Sequence, residues 1–149
     1  MHLSFRLRIK IAITAIKFYT MKIEHVAIWA DELETMRAFY LKYFDLTSNE
    51  KYTNEKKGYS SYFLTFGDGK TRLELMNRKD ILHEPQKRGS IKGIAHFAIS
   101  VGSKEAVNEL TERLRADHYP IESEPRTTGD GYYESVVLDP EGNYVEISA

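Results

Sequence analysis

The stretch IEHVAI at residues 23–28 returns as IAHFAI at residues 94–99. Both stretches alternate along the chain and are rich in β-branched and other apolar residues, a pattern that predicts a β-strand. Each copy carries one histidine at the same place, His25 in the first and His96 in the second. A repeated strand with a repeated polar residue indicates a duplicated structural unit.

A second pair of related stretches repeats a glutamate. TRLEL at residues 71–75 is echoed by NYVEI at residues 143–147, with Glu74 and Glu146 in corresponding positions. The glutamates are 72 residues apart and the histidines are 71 apart, so the two halves have nearly the same internal spacing. Alternation along a strand places each His or Glu on the face opposite to its apolar neighbours. We therefore expect all four polar side chains to share the inner side of one curved sheet.

Each half is predicted to contain a strand, a helix and further strands. In the first half, Asp31 and Glu34 form a capping-box pattern before an amphipathic helix. In the second half, Ser103 precedes a helix, and the sequence DPEGN at residues 139–143 predicts a hairpin turn. The expected fold class is α+β. The expected parts are module one at about residues 21–76, a surface linker at about 77–92 and module two at about 93–149.

Composition excludes several classes of function. The chain has no cysteine, which excludes disulfides, thiolate nucleophiles and zinc–sulfur sites. Its net charge of −1 gives no reason to expect a nucleic-acid partner. The apolar run within residues 1–20 is too short to span a membrane and short for a signal-peptide core. We expect residues 1–20 to be an extension outside the fold, with Met21 as the working start, and the protein to be cytoplasmic without a membrane partner.

The four repeated side chains have the chemistry of metal ligands. Ionised carboxylates on the inner side of a sheet are costly unless they are paired or bound to a cation. Two neutral imidazoles and two carboxylates around one point suit Zn, Ni, Fe, Mn or Co. The sequence therefore predicts a metal site made of His25, Glu74, His96 and Glu146. The alternative is that a gene duplication carried over four polar residues that form a hydrogen-bonded cluster without metal.

These features resemble the vicinal-oxygen-chelate superfamily, which includes glyoxalase I, bleomycin-resistance proteins and extradiol dioxygenases. The motifs that carry the resemblance are residues 23–28, 71–75, 95–101 and the closing LDPEGNYVE at 138–146. The resemblance implies two βαβββ modules that form a cup around a divalent metal, with Zn or Ni favoured over Fe, Co or Mn. It also implies a homodimer, in which the cup lies within one chain or between two chains.

The ligand order His, Glu, His, Glu is similar to that of the glyoxalase I branch. It implies a lyase or isomerase that acts on a hemithioacetal or related α-hydroxycarbonyl small molecule through a metal-stabilised enediolate. Glu146 or Glu74 would move the proton, and the family pattern favours the later glutamate. One alternative is an iron-dependent dioxygenase of the same superfamily. Another is a resistance-type protein that binds a small molecule without catalysis.

The chain departs from the glutathione-using members of this branch at two positions. They usually carry an arginine four residues after the first histidine, where this chain has Trp29. They usually carry an asparagine four residues after the first glutamate, where this chain has Arg78, with Asn77 one residue early. The resemblance therefore supports the metal site better than it supports glutathione as the thiol. On the His25 face of its strand, Trp29 would line the pocket as an apolar wall.

Overall fold

The computed structural model describes residues 21–67, 69–82 and 88–149. The extension predicted at residues 1–20 lies outside this described part. Within these described residues, two α-helices and two mixed sheets confirm the α+β prediction, and neither α-helix is long and apolar enough to cross a membrane. The first half of the fold comprises β1 (His25–Trp29), α1 (Leu33–Tyr43), β2 (Thr47–Ser48), β3 (Tyr52–Asn54), a 3₁₀ turn (Glu55–Lys57), β4 (Tyr59–Thr65) and β5 (Arg72–Arg78). The second half comprises β6 (Phe97–Ser100), α2 (Lys104–Ala116), β7 (Ile121–Thr127), β8 (Tyr133–Leu138) and β9 (Tyr144–Ser148).

The two sheets repeat the same pairing of their first, last and next-to-last strands, and in the first sheet β3 also pairs with β4. In the first, β1 pairs in parallel with β5, and β5 pairs antiparallel with β4. In the second, β6 pairs in parallel with β9, and β9 pairs antiparallel with β8. The strand orders are β1-β5-β4-β2 and β6-β9-β8-β7, so the first strand of each unit lies at the edge of its sheet. The repeat read from the sequence is thus a repeat of the whole strand–helix–strand unit.

One face of each sheet is covered by the helix of its own unit. Leu73 and Leu75 of β5 are buried towards α1, as are Val145 and Ile147 of β9 towards α2. These side chains alternate with the glutamates because successive residues of a strand point to opposite faces. Removing such apolar surface from water is the main favourable term in folding. Burial of these neighbours therefore holds Glu74 and Glu146 on the uncovered face of each sheet, which we call the open face.

The start of helix α1 is capped by the other half of the chain. The capping box predicted for Asp31 and Glu34 is wrong: the residue before the helix is Glu32, and it makes no side-chain cap. Instead, Glu141 Oε1 accepts hydrogen bonds from the backbone N–H groups of Asp31 and Glu32, both at 2.8 Å. A carboxylate at this position satisfies otherwise unpaired N–H groups and the positive end of the helix dipole. The cap predicted at Ser103 for α2 is confirmed, since its hydroxyl accepts from the Ala106 N–H.

The turn at residues 139–143 is the predicted hairpin turn, and it also ties the two halves together. Asp139 is buried, and its Oδ2 accepts a hydrogen bond from the Tyr40 hydroxyl of α1 at 2.8 Å. Its Oδ1 accepts from the backbone N–H groups of Glu141 and Asn143. Burial raises the pKa of the Asp139 carboxyl, and the hydrogen bonds from Asn143 and Tyr40 oppose that rise.

Aromatic contacts extend this interface along α1. The ring of Phe39 lies 4.9 Å from the ring of Tyr119, and Tyr40 lies 6.3 Å from Phe97. Lys42 Nζ forms an ion pair with Asp117 at 2.8 Å. The two halves therefore pack through α1 and the turn at residues 139–143, which leaves the open faces outside this interface.

Replacing Tyr40 with phenylalanine should destabilise the fold in a pH-dependent way. The variant leaves the buried Asp139 carboxylate without one donor, so we expect a loss of about 1–3 kcal/mol in the free energy of unfolding. A carboxyl whose folded pKa is raised contributes stability below its unfolded pKa and loses that contribution as pH rises through the folded pKa. The Tyr40 donor offsets part of that loss, so the deficit of Tyr40→Phe should be larger at pH 7 than at pH 4.

Urea denaturation at the two pH values measures both effects. Tyr52→Phe is the matched control because Tyr52 is exposed, and we expect it to stay within about 0.5 kcal/mol of the parent protein. A Tyr40→Phe variant that matches this control at pH 7 would contradict the role given to the buried hydrogen bond.

Candidate metal centre

The open face of the first sheet carries His25, Glu74 and Trp29. Strand register places Ala27 beside Glu74 and Trp29 beside Met76, so β1 and β5 present these residues on the same side. Phe63 of β4 lies opposite Glu74 and makes an edge contact with the His25 ring at 5.6 Å. The side chain of His25 is 38% exposed and that of Glu74 is 13% exposed. The pair is therefore accessible from solvent while Glu74 is largely shielded.

The module-one pair has a defined orientation. His25 Nε2 lies 3.7 Å from Glu74 Oε2, and His25 Nδ1 is in hydrogen-bond contact with Glu24 Oε2. Hydrogen bonds from His25 and Arg72 lower the pKa of Glu24, so this carboxyl is ionised at neutral pH. Because an ionised carboxylate only accepts hydrogen bonds, the His25 proton sits on Nδ1 in the neutral ring. In this tautomer the lone pair of Nε2 faces Glu74. A histidine that binds a metal through Nε2 needs the same tautomer.

The second oxygen of Glu74 is held by Tyr59. The Tyr59 hydroxyl donates a hydrogen bond to Glu74 Oε1 at 2.9 Å. Burial and this contact with Glu74 raise the pKa of Tyr59, so the phenol keeps its proton at neutral pH. Glu74 is thus left with one oxygen, Oε2, on the side of His25.

The module-two pair is closer but has a different environment. His96 Nε2 lies 3.2 Å from Glu146 Oε2, with side-chain exposures of 47% and 15%. Burial raises the pKa of Glu146, and the charge of the neighbouring Glu134 adds to the rise, while His96 opposes it. Arg126, whose Nη2 lies 3.6 Å from Glu134 Oε1, partly neutralises this group of carboxylates. Two carboxylates beside one arginine leave the site with an excess of negative charge.

The structure brings the predicted ligands together as two pairs. His25 joins Glu74 on the first sheet, and His96 joins Glu146 on the second. Among residues 21–67, 69–82 and 88–149, no three His, Asp or Glu side chains converge where they could hold one metal ion. The convergence of all four side chains on a single cation stays a prediction. Within one chain, each pair supplies two candidate metal ligands.

Trp29 lies beside a crevice between the edge strands of the two sheets. The crevice has a volume of about 370 Å³ and runs from β1 to the segment that leads into β6. Trp29 makes an edge contact with Tyr59 at 6.4 Å, and the Arg78 guanidinium lies 5.3 Å from the Trp29 ring centre. His96 lies at one side of the crevice. Most of the lining is apolar, and besides Trp29 it includes Val26, Ile28, Ile81, Leu82, Ile91 and Ile94.

Sequence reasoning missed the side chains that surround the two pairs. Tyr59, Glu24 and Glu134 were not among the predicted site residues, although each contacts or adjoins one of the four ligands. Strand alternation contained part of the signal, since Tyr59 and Phe63 are four residues apart and share a face. The local sequence does not specify the register between β4 and β5. That register determines that Phe63 lies opposite Glu74.

A family model described as "Glyoxalase/Bleomycin resistance protein/Dioxygenase superfamily" matches residues 22–147. The chain belongs to this superfamily. A curated relative, the uncharacterised protein YqjT of Bacillus subtilis (strain 168), is 25% identical over 128 residues. That match covers 84% of this chain and 96% of the relative. The resemblance inferred from the repeated motifs is thus confirmed at the level of the superfamily.

Solved structures of superfamily members share the fold. The glyoxylase/bleomycin resistance protein/dioxygenase domain from Frankia sp. EAN1pec superposes with a TM-score of 0.72 at 15% identity, covering 87% of this chain and 98% of that one. The trypanothione-dependent glyoxalase I of Leishmania major gives 0.64 at 24% identity, covering 87% and 86%. Glyoxalase I from Zea mays gives 0.69 at 22% identity, covering 85% of this chain but 44% of that one. At these identities the likeness establishes the fold.

The tautomer of His25 provides a direct test of the site geometry. We expect the neutral His25 ring to carry its proton on Nδ1, because Glu24 accepts there, and Glu24→Ala to remove that preference. Side-chain ¹⁵N NMR at a pH above the imidazole pKa distinguishes the two ring nitrogens. His118, at the end of α2, serves as the internal control and should not change. A proton on Nε2 of His25 in the parent protein would contradict the orientation described here.

Proposed function

We propose that the protein is a divalent-metal-dependent lyase of the glyoxalase I type. Its substrate would be a hemithioacetal or a related α-hydroxycarbonyl small molecule. The observation that carries this proposal is the matched pair of half-sites, in which an imidazole Nε2 faces a glutamate oxygen at 3.7 Å in one module and 3.2 Å in the other. Membership of the superfamily agrees with it.

The donor set fits a divalent metal. Imidazole nitrogen and carboxylate oxygen together suit Zn, Ni, Co, Mn and Fe, and the absence of cysteine removes softer sites from consideration. The partly buried Glu74 and Glu146 also gain from a neighbouring cation, because a shielded carboxylate is costly when it is unpaired. We favour Zn or Ni, held by His25, Glu74, His96 and Glu146.

We propose that two copies of the chain complete the centre. Each half-site has two protein donors, and among the described residues no three His, Asp or Glu side chains converge on one place. Within the described sheets, β1 and β6 each pair with a single strand. Ile23 and Ile94, a few residues before these strands, are exposed. A symmetric homodimer would join module one of each chain to module two of its partner and form two centres.

Glu146 is the residue that we assign as the base. When bound, the metal would supply Lewis acidity that stabilises negative charge on the substrate oxygens. Glu146 takes the proton from the carbon beside the carbonyl group and returns it to the neighbouring carbon. Its raised pKa moves it towards neutrality, where a general base is most effective. Glu74 is less suited, because the hydrogen bond from Tyr59 already occupies one of its two oxygens.

Trp29 and Arg78 would shape substrate choice. Trp29 presents an apolar ring on the open face, and Arg78 lies over that ring while its Nε pairs with Asp80. These residues stand where the sequence departs from glutathione-using relatives, so we propose a thiol partner other than glutathione. The apolar wall would also exclude water from the reacting carbon atoms.

The crevice beside β1 supports a second candidate function. Its volume of about 370 Å³ is within the range of small-molecule sites. Its lining is mostly apolar and also includes three cationic residues, Arg78, Arg88 and Lys92. A resistance-type protein that binds an anionic apolar molecule without converting it would need such a space. This candidate requires no metal, which separates it from the lyase.

Metal content and turnover test the proposed function together. Protein purified without chelator should hold about one Zn or Ni per chain, and the loaded protein should convert methylglyoxal adducts of at least one thiol. Bound Fe would favour the dioxygenase of the same superfamily, and a metal-free protein that binds small molecules would favour the resistance-type candidate. Either result would contradict the lyase proposal.

A glutamate variant tests the assignment of the base. Glu146→Gln should lower kcat by at least about 100-fold, because the amide cannot take up the substrate proton. Glu109→Gln, on the exposed side of α2, is the matched control and should keep full activity. Initial rates at saturating metal give the comparison. Full activity in Glu146→Gln would rule out this residue as the base.

A further inference from the structure

The His25/Glu74 pair is held from outside by two further side chains. The Glu24 carboxylate contacts His25 Nδ1, on the side of the ring away from Glu74. The Tyr59 hydroxyl donates to Glu74 Oε1, which leaves Oε2 as the oxygen nearest to His25 Nε2. His25 is therefore held through Nδ1 and Glu74 through Oε1, while the two candidate metal-binding atoms, Nε2 and Oε2, face each other.

These two outer side chains are themselves anchored. Glu24 Oε1 forms an ion pair with Arg72 NH2 at 2.5 Å, and the Arg72 guanidinium lies 4.0 Å from the centre of the Phe63 ring. The Tyr59 ring makes an edge contact with Trp29 at 6.4 Å and a tilted contact with Tyr52 at 6.1 Å. A side chain that is locked by its neighbours can orient a ligand without losing rotamer freedom when the metal arrives.

The second module lacks both contacts. The residue that corresponds to Glu24 in the repeat is Ala95, which has no polar side chain. Phe63 faces Glu74 and Val136 faces Glu146, so the residue that corresponds to Tyr59, four positions earlier, is Tyr132. Tyr132 is 62% exposed, and its hydroxyl makes no hydrogen bond to Glu146 in the described structure.

We propose that Glu24 and Tyr59 are positioning residues that make the His25/Glu74 pair the pre-ordered, tight-binding half of the metal centre. Glu24 fixes the tautomer and ring orientation of His25, and Tyr59 fixes the carboxylate plane of Glu74. This inference rests on the proposed function, since it concerns the same metal. Outer contacts of this kind change metal affinity by about 10- to 100-fold in metalloproteins.

Zinc titration of the full-length apoprotein tests this inference. Apoprotein prepared by dialysis against chelator is titrated with Zn²⁺ alone, and the dissociation constant is compared among variants. We expect Tyr59→Phe and Glu24→Ala each to weaken Zn²⁺ binding by about 10-fold or more. Glu24→Gln, which keeps an acceptor oxygen for His25 Nδ1, should recover part of the loss.

Matched controls separate positioning from folding. Tyr132→Phe removes the corresponding hydroxyl of module two, and Glu109→Ala removes an exposed carboxylate of α2; both should bind Zn²⁺ within about twofold of the parent protein. Urea midpoints for Tyr59→Phe and Glu24→Ala should match the parent protein, because a loss of affinity caused by unfolding would shift them.

The possible outcomes are distinct. Parent protein that binds Zn²⁺, with Tyr59→Phe and Glu24→Ala binding equally well, overturns this inference and leaves the proposed function standing. Equal losses in Tyr59→Phe and Tyr132→Phe also overturn it, because the effect would not be specific to module one. Parent protein that binds no divalent metal overturns the proposed function and this inference with it.

Discussion

The hydrogen bonds that Glu141 accepts from the first N–H groups of α1 join the two modules at the start of that helix. The same turn buries Asp139 against Tyr40, so the two contacts fix α1 at both its start and its middle. With α1 engaged in this way, the His/Glu pairs occupy separate sheets of one chain. The proposed need for a second copy follows from this constraint, because neither pair alone has enough donors for a structural or catalytic metal site.

Much of the fold could be predicted from the sequence because the two halves repeat each other. The alternation of apolar and polar residues around Glu74 and Glu146 correctly predicted which neighbours are buried. Ser103 was correctly predicted as the cap of α2. The cap of α1 could not be predicted, since Glu141 lies more than 100 residues away and only tertiary packing brings it there. The outer contacts of the site were missed for a similar reason: strand register, which local sequence does not specify, selects Tyr59.

The two half-sites differ more than the repeat suggests. Glu74 accepts a hydrogen bond from a neutral phenol, whereas burial and the neighbouring carboxylate of Glu134 raise the pKa of Glu146. The repeat supplies two corresponding pairs, and each pair has different neighbouring side chains. The lyase proposal assigns firm metal binding to Glu74, and both metal binding and proton transfer to Glu146.

The most direct measurement is complementation between two inactive variants. One carries His25→Ala and Glu74→Ala, the other carries His96→Ala and Glu146→Ala, and each alone lacks one complete half-site. If centres form between chains, an equimolar mixture that exchanges subunits contains heterodimers with one intact centre, so bound metal should return to about a quarter of the parent level. If each centre forms within one chain, or if the pairs do not bind metal, the mixture will hold no more metal than the separate variants, and the account is contradicted.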